Sequence, residues 1–191
     1  PEQSRNLEVG LSYERVATRA GITVYRNKIE DLIDYVPGVA PNWIGTMGNV
    51  SRATLQGISL SGAHRSGDWE FSGNLDFLSA KNDDNGKTLQ RRARQTGFVE
   101  VRRHFGLANV GVQVQGVSRR FNNPANTQVL AGYGLVNIDL NYAFERDWSF
   151  VARLNNAFDR DYTLVRSTLS PYNDYGTPGR NFFVGLRYQP K

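Results

Sequence analysis

The sequence predicts an all-β fold: an antiparallel transmembrane β-barrel, wide rather than small, to which this chain supplies about nine strands. Three observations predict it. Apolar and polar residues alternate with a period of two along successive stretches, the repeat of a strand with one face in hydrocarbon. The connections between those stretches are short and long by turns. The polar faces carry more charge than a dry core could hold.

The elements follow in order. Residues 5–16 put Leu7, Val9, Leu11 and Tyr13 on one face and Asn6, Glu8, Ser12 and Glu14 on the other. Residues 20–32 and 50–63 form the second and third strands. In the fourth, 68–80, Trp69, Phe71, Leu75 and Phe77 oppose Glu70, Ser72, Asn74 and Asp76. The fifth spans 95–105 and the sixth 109–120, where Val110, Val112 and Val114 oppose Gln113 and Gln115. In the seventh, 134–145, Val136, Ile138, Leu140, Tyr142 and Phe144 oppose Asn137, Asp139 and Asn141. The eighth spans 147–162. The ninth spans 179–189, with Phe182, Val184, Leu186 and Tyr188 opposite Arg180, Gly185 and Arg187.

Connections 17–19, 64–67, 106–108 and 146 are short, and 33–49, 81–94, 121–133 and 163–178 are long. Outer-membrane barrels are built this way, with short turns in the periplasm and long loops outside the cell. Lipid offers no hydrogen bonds, so a spanning sheet must close on itself. Trp69, Tyr142, Phe144, Trp148, Phe182 and Tyr188 lie near strand ends on the apolar faces, as an aromatic girdle would. Glu8, Glu14, Glu70, Asp76, Asp139, Arg153 and Arg187 lie on the polar faces, which suits a wet lumen or one filled by a polar plug.

Composition narrows the function. Mean hydropathy is −0.50, and no apolar run reaches the ~18 residues of a spanning helix. Without cysteine there is neither a disulfide nor a thiolate metal site. The net charge of +5 is spread along the chain and interleaved with acids, which favours anionic lipid headgroups or ligands over nucleic acid. No Ser/His/Asp set with a nucleophile elbow and no phosphate-binding glycine loop is present, so no enzyme and no cofactor is expected. The run NDDNG at 82–86 fails the EF-hand calcium pattern, with Lys81 and Arg92 at its first and last ligand positions; Asn85-Gly86 reads as a turn. His64 and His104 each lie beside a short turn, which suits interfacial positions rather than a metal site. The chain opens at Pro1 on polar residues leading straight into a strand, so it reads as a piece of a longer protein.

Five stretches resemble TonB-dependent outer-membrane receptors. RLNNAFDRDY at 153–162 is similar to the family's N-L-F-D-x-x-Y signature through Asn156, Phe158, Asp159 and Tyr162, with Ala157 in the leucine place. TPGRNFFVGLRY at 177–188 resembles the P-G-R start of the terminal strand through Gly179 and Arg180. GITVYRNKIEDLI at 21–33 resembles Y-x-N-x-I-x-D-L-I through Tyr25, Asn27, Ile29, Asp31, Leu32 and Ile33. NVSRATLQGISL at 49–60 resembles N-x-x-x-A-x-x-x-G-x-E, with Ser59 in the glutamate place, and PEQSRNL at 1–7 resembles a strand start of the family. The terminal strand looks most like that of the cobalamin (vitamin B12) transporter group, although Gln189, Pro190 and Lys191 follow the aromatic on which such barrels commonly end.

The resemblance implies that residues 1–191 are the C-terminal section, the last nine strands, of a receptor barrel of about 22 strands, with the plug domain and the TonB-contacting box upstream and absent from this chain. It implies a multi-pass protein of the bacterial outer membrane that works with its own plug, with TonB and with lipid. Its task would be active import of a large, scarce small-molecule ligand, cobalamin first and a ferric siderophore or haem as the alternative of the same fold. A passive porin and a soluble β-rich binding domain are the rivals from other classes. Candidate ligand residues are Arg166, Tyr172, Asn173, Asp174 and Tyr175 in the eighth connection, where aromatics mix with hydrogen-bonding groups. Tyr35 and Trp43 after the second strand, and Arg91 and Arg92 after the fourth, come next.

Overall fold

A computed structural model describes residues 1–36, 46–167 and 174–190, except for the side chains of 34–36 and 46–51. The described residues hold strands and connections and no helix. The long strands are β1 (Gln3–Arg15), β2 (Thr18–Val36), β3 (Thr46–Ser66), β4 (Trp69–Asn82), β5 (Gln95–Phe105) and β6 (Ala108–Val117). A two-residue pair, β7 (Arg120–Phe121) and β8 (Val129–Leu130), precedes β9 (Tyr133–Tyr142), β10 (Trp148–Asn155) and β11 (Asn181–Tyr188). The nine long strands form one antiparallel sheet in chain order, β1-β2-β3-β4-β5-β6-β9-β10-β11. Its edges, β1 and β11, do not meet, so this section of barrel wall is open.

Register carries the period of two across the sheet, because directly paired residues share a face. On one face Leu11 pairs with Ile22, Ile22 with Leu60 and Leu60 with Leu75. Further along, Val112 pairs with Ile138, Ile138 with Leu154 and Leu154 with Phe182. These side chains have no core to enter. Leu11 is 74% exposed and Phe182 80%, whereas the buried hydrophobics among the described residues are Ala53, Ala80 and Leu130. An apolar face this wide is untenable in water and suits hydrocarbon.

The opposite face is polar. Arg65 pairs with Glu70, Glu70 with Arg102, and Asp139 with Arg153. Arg102 reaches past β6 to Asp139, its Nη1 donating to Oδ2 at 2.8 Å and its Nη2 to Oδ1 at 3.0 Å. Nη2 also donates to Glu100 at 2.7 Å, and Nη1 to Asn109 at 2.6 Å. The residue beneath this crossing is Gly111, where a Cβ would stand 2.6 Å from both Arg102 Nη2 and Asp139 Oδ1. Gly57 leaves similar room for Tyr25, whose hydroxyl would lie 2.7 Å from a Cβ there. The two strand motifs that carry these residues therefore interlock on the polar face.

Five of the six girdle aromatics gather at the short-turn end of the apolar face. Trp148 packs on Tyr188 at 4.9 Å between ring centroids, Tyr142 lies 6.4 Å from Phe144, and Arg103 covers Trp69 at 5.0 Å. Phe182 marks the opposite end of β11.

Several boundaries differ from the sequence expectation. β2 runs on to Val36 and β3 begins at Thr46, which places Tyr35 in a strand rather than a loop. The extension crosses register shifts between Ile29 and Ile33, with Asp31 at φ 57°; such a bulge breaks the alternation on which the expected end rested. β9 ends at Tyr142, so the turn to β10 is longer than Arg146 alone. β6 stops at Val117, and the next residues join the separate β7–β8 pair.

β10 stops at Asn155 instead of reaching Tyr162. Asn156 takes φ 49° and Asp159 φ 51°, a left-handed conformation outside the regular strand region that Asn and Asp tolerate best. Asn156 is buried, accepting from Arg160 N at 2.8 Å and donating to Arg160 O at 2.9 Å. Asp159 Oδ1 then accepts from Arg180 N at 2.6 Å, and Gly179 O accepts from Asn181 Nδ2 at 2.9 Å. The signature residues thus close a turn that fixes where β11 begins. Phe158 points outward, 79% exposed.

Candidate functional site

Three of the long connections, 81–94, 121–133 and 163–178, meet at one end of the sheet through polar side chains. Asn126, at φ 60°, ties the sixth connection to the fourth. Its Oδ1 accepts from Thr88 N at 2.9 Å and its Nδ2 donates to Thr88 O at 2.8 Å, the two bonds a paired strand residue would supply. Arg91 N donates to Phe121 O at 2.7 Å alongside.

Asn122, fully buried, ties the sixth connection to the eighth: its Nδ2 donates to Arg166 O at 2.8 Å and its Oδ1 accepts from Arg166 N at 3.1 Å. Arg120, 7% exposed, donates from Nη2 to Thr163 O at 2.9 Å and Leu164 O at 3.1 Å. Leu130, paired with Arg120 across the β7–β8 hairpin, is the one large apolar side chain fully buried among the described residues. Connecting segments are usually the least ordered part of a barrel; here amide and guanidinium clamps hold them.

Within the eighth connection, Arg166 and Asp174 form an ion pair across an isolated bridge, Arg166 Nη2 donating to Asp174 Oδ2 at 3.2 Å. Thr163 Oγ1 donates to the same oxygen at 2.9 Å. Both bonds favour the charged carboxylate, Arg166 the more, and hold the Asp174 carboxyl below its usual value of 3.8. A cavity of about 400 Å³ lies between this loop and the hairpin, lined by Leu130, Arg160, Tyr162, Arg166, Asp174 and Tyr175 among others. Tyr162 stacks on Tyr133 at 4.6 Å beside it.

A second cavity, of about 210 Å³, lies between the fourth and sixth connections, lined by Arg92, Arg94, Arg119 and Arg120 with Thr88 and Phe121. The run at 82–86 is committed elsewhere: Asp84 binds Arg52 at 2.8 Å and Asp83 accepts from Thr54 at 2.7 Å. Gly86, at φ 70°, makes the turn the sequence indicates there.

Of the sequence-predicted ligand residues, Arg166, Asp174 and Tyr175 come together at the larger cavity, Arg92 lines the smaller, and Arg91 lies beside it, its side chain exposed. Tyr35 stands apart in β2, and Trp43, Tyr172 and Asn173 lie outside the described residues. The sequence reading marked the sixth connection, 121–133, as long but drew no ligand residue from it. Its signals were the adjacent Arg119-Arg120 and the cluster of asparagines at 122, 123 and 126.

The pattern of the family described as "TonB dependent receptor-like, beta-barrel" matches residues 1–157. The chain is 31% identical over 193 residues to the Vitamin B12 transporter BtuB of Photobacterium profundum, and 29% identical over 193 residues to that of Vibrio vulnificus. Each match covers 99% of this chain and 30% of the relative, so the chain spans about a third of the length of these relatives. Among solved structures, the copper transporter OprC superposes with a TM-score of 0.84 at 20% identity, over 99% of this chain and 31% of that one. The ferric yersiniabactin uptake receptor FyuA of Yersinia pestis gives 0.85 at 16% identity, over 100% and 30%. At those identities the likeness is one of fold.

Proposed function

This chain belongs to the TonB-dependent receptor β-barrel family, and we propose that it is the C-terminal barrel section of an outer-membrane receptor that actively imports cobalamin. The observation that carries the ligand is the likeness to vitamin B12 transporters along 99% of the chain, at up to 31% identity. In this reading the apolar face meets the outer-membrane lipid and the polar face encloses a plug supplied by another part of the protein. TonB engages that other part and supplies the work of transport. The clamped loops form part of the outer grip, and the cavity beside Tyr162, Arg166 and Tyr175 offers aromatic and hydrogen-bonding groups to a large ligand.

The test is equilibrium binding and uptake of radiolabelled cobalamin by cells carrying the full-length protein, with and without TonB. High-affinity binding in both strains, and accumulation only where TonB is present, is the expected result. Absence of cobalamin binding, with uptake of a ferric siderophore or haem instead, would move the protein to that ligand class. Ligand-independent leakage of small solutes would make it a porin and end the reading.

A further inference from the structure

We propose that the cavity between the fourth and sixth connections binds a phosphate-class oxyanion. Four arginines, Arg92, Arg94, Arg119 and Arg120, are among its lining residues, and no acidic residue is. Five arginines elsewhere in the described residues meet a carboxylate: Arg19 with Glu14, Arg52 with Asp84, Arg65 with Glu70, Arg102 with Glu100 and Asp139, Arg166 with Asp174. None of the four cavity arginines has such a partner there. Four like charges around about 210 Å³ repel one another and call for an anion.

Arg120 is the second observation. Only 7% exposed, it satisfies Nη2 on two backbone carbonyls while its buried Nη1 has no hydrogen-bond partner. An unpaired donor on a buried cation is costly, and the negative charge of an oxyanion in the cavity would offset that cost. Phosphate suits this set better than a carboxylate does. It carries close to two charges and three acceptor oxygens, enough for several planar forks, whereas one fork saturates a carboxylate. The walls are already tied together by Asn126 with Thr88 and by Arg91 N with Phe121 O, so binding need not order them.

The phosphate is free, part of an imported ligand, or the headgroup of an outer-leaflet lipid; all three share the anionic phosphoryl oxygens that a guanidinium fork reads, with one charge on a diester and close to two on free phosphate. The site does not depend on the import reading, and its test uses no transport. Calorimetric titration of the detergent-solubilised full-length protein with inorganic phosphate should give saturable binding. Arg92→Gln combined with Arg119→Gln, both exposed positions, should weaken it at least tenfold while the heat-modifiable gel mobility stays unchanged. Arg26→Gln with Lys28→Gln, exposed on β2, should leave it unaltered. Acetate should fail to compete at equal concentration. A parallel arm measures the protein's affinity for vesicles of phosphatidylglycerol against phosphatidylcholine: a preference for the anionic vesicles that R92Q/R119Q abolishes supports the site and identifies a headgroup as occupant. No saturable phosphate binding together with no such preference, or binding equal in the variant, or equal competition by acetate, overturns the proposal.

Discussion

Arg102 and Arg120 are both largely enclosed by protein, yet their surroundings are opposite. Arg102 crosses the polar wall and meets two carboxylates, Glu100 at 2.7 Å and Asp139 at 2.8 Å, plus the amide of Asn109. Its charge is more than neutralised where it stands. Among the described residues Arg120 hydrogen-bonds the carbonyls of Thr163 and Leu164, lies 5.7 Å from the ring of Tyr133 and has no ion-pair partner. A satisfied buried cation stiffens structure, whereas one held by neutral acceptors keeps its field available for a ligand.

The largest expected effect breaks the satisfied side of this pair. Arg102→Met strands Glu100 and Asp139 together on the wall, and loss of one partner from a largely enclosed ion network costs about 3 kcal/mol. Denaturant unfolding of the protein in detergent should read this loss; an effect below ~1 kcal/mol would show that lumen water already screens the network.

Arg120→Met should cost less, about 1 kcal/mol. It removes two bonds to carbonyls but strands no carboxylate and relieves an unpaired Nη1. The same unfolding measurement checks it. A cost equal to that of Arg102→Met would erase the contrast between the two sites.

The smallest effect concerns the exposed pair in the eighth connection. The Asp174 carboxyl is held below 3.8 by Arg166 and Thr163. Its folded value lies below its unfolded value, so its contribution is present above about 3.8 and is lost as pH falls below that. Amide exchange at Tyr175 N, which donates to Val165 O at 3.1 Å, should gain less protection than neighbouring loop amides from pH 3 to pH 5 in Asp174→Asn, and more in the parent chain. Identical protection in both proteins would remove the pair from any role in closing the loop.

The wall was legible in the sequence to a degree the loops were not. Alternation located all nine long strands because each residue of a strand reports its own face, whatever its partner. It failed at the bulge around Asp31 and at Asn156, where single residues with positive φ reset the pattern. The NAFD signature was visible, but its role was not. That role rests on Asp159 reaching the amide of Arg180, 21 residues away. The sixth connection was passed over because nothing local marks Asn122 as buried: its partner Arg166 lies 44 residues on.

The sequence by itself determined which face is apolar and which polar in the clearly alternating strands, and which connections are long, since these follow from a two-residue repeat and from the spacing of turn residues. Only the tertiary structure decided which charges find each other. Register placed Arg102 within reach of Asp139 across the gap left by Gly111, and loop packing buried Arg120 against the carbonyls of Thr163 and Leu164, with no ion-pair partner among the described residues. A face is a property of one strand; a partner is a property of two segments far apart in the chain, and their meeting depends on the whole sheet.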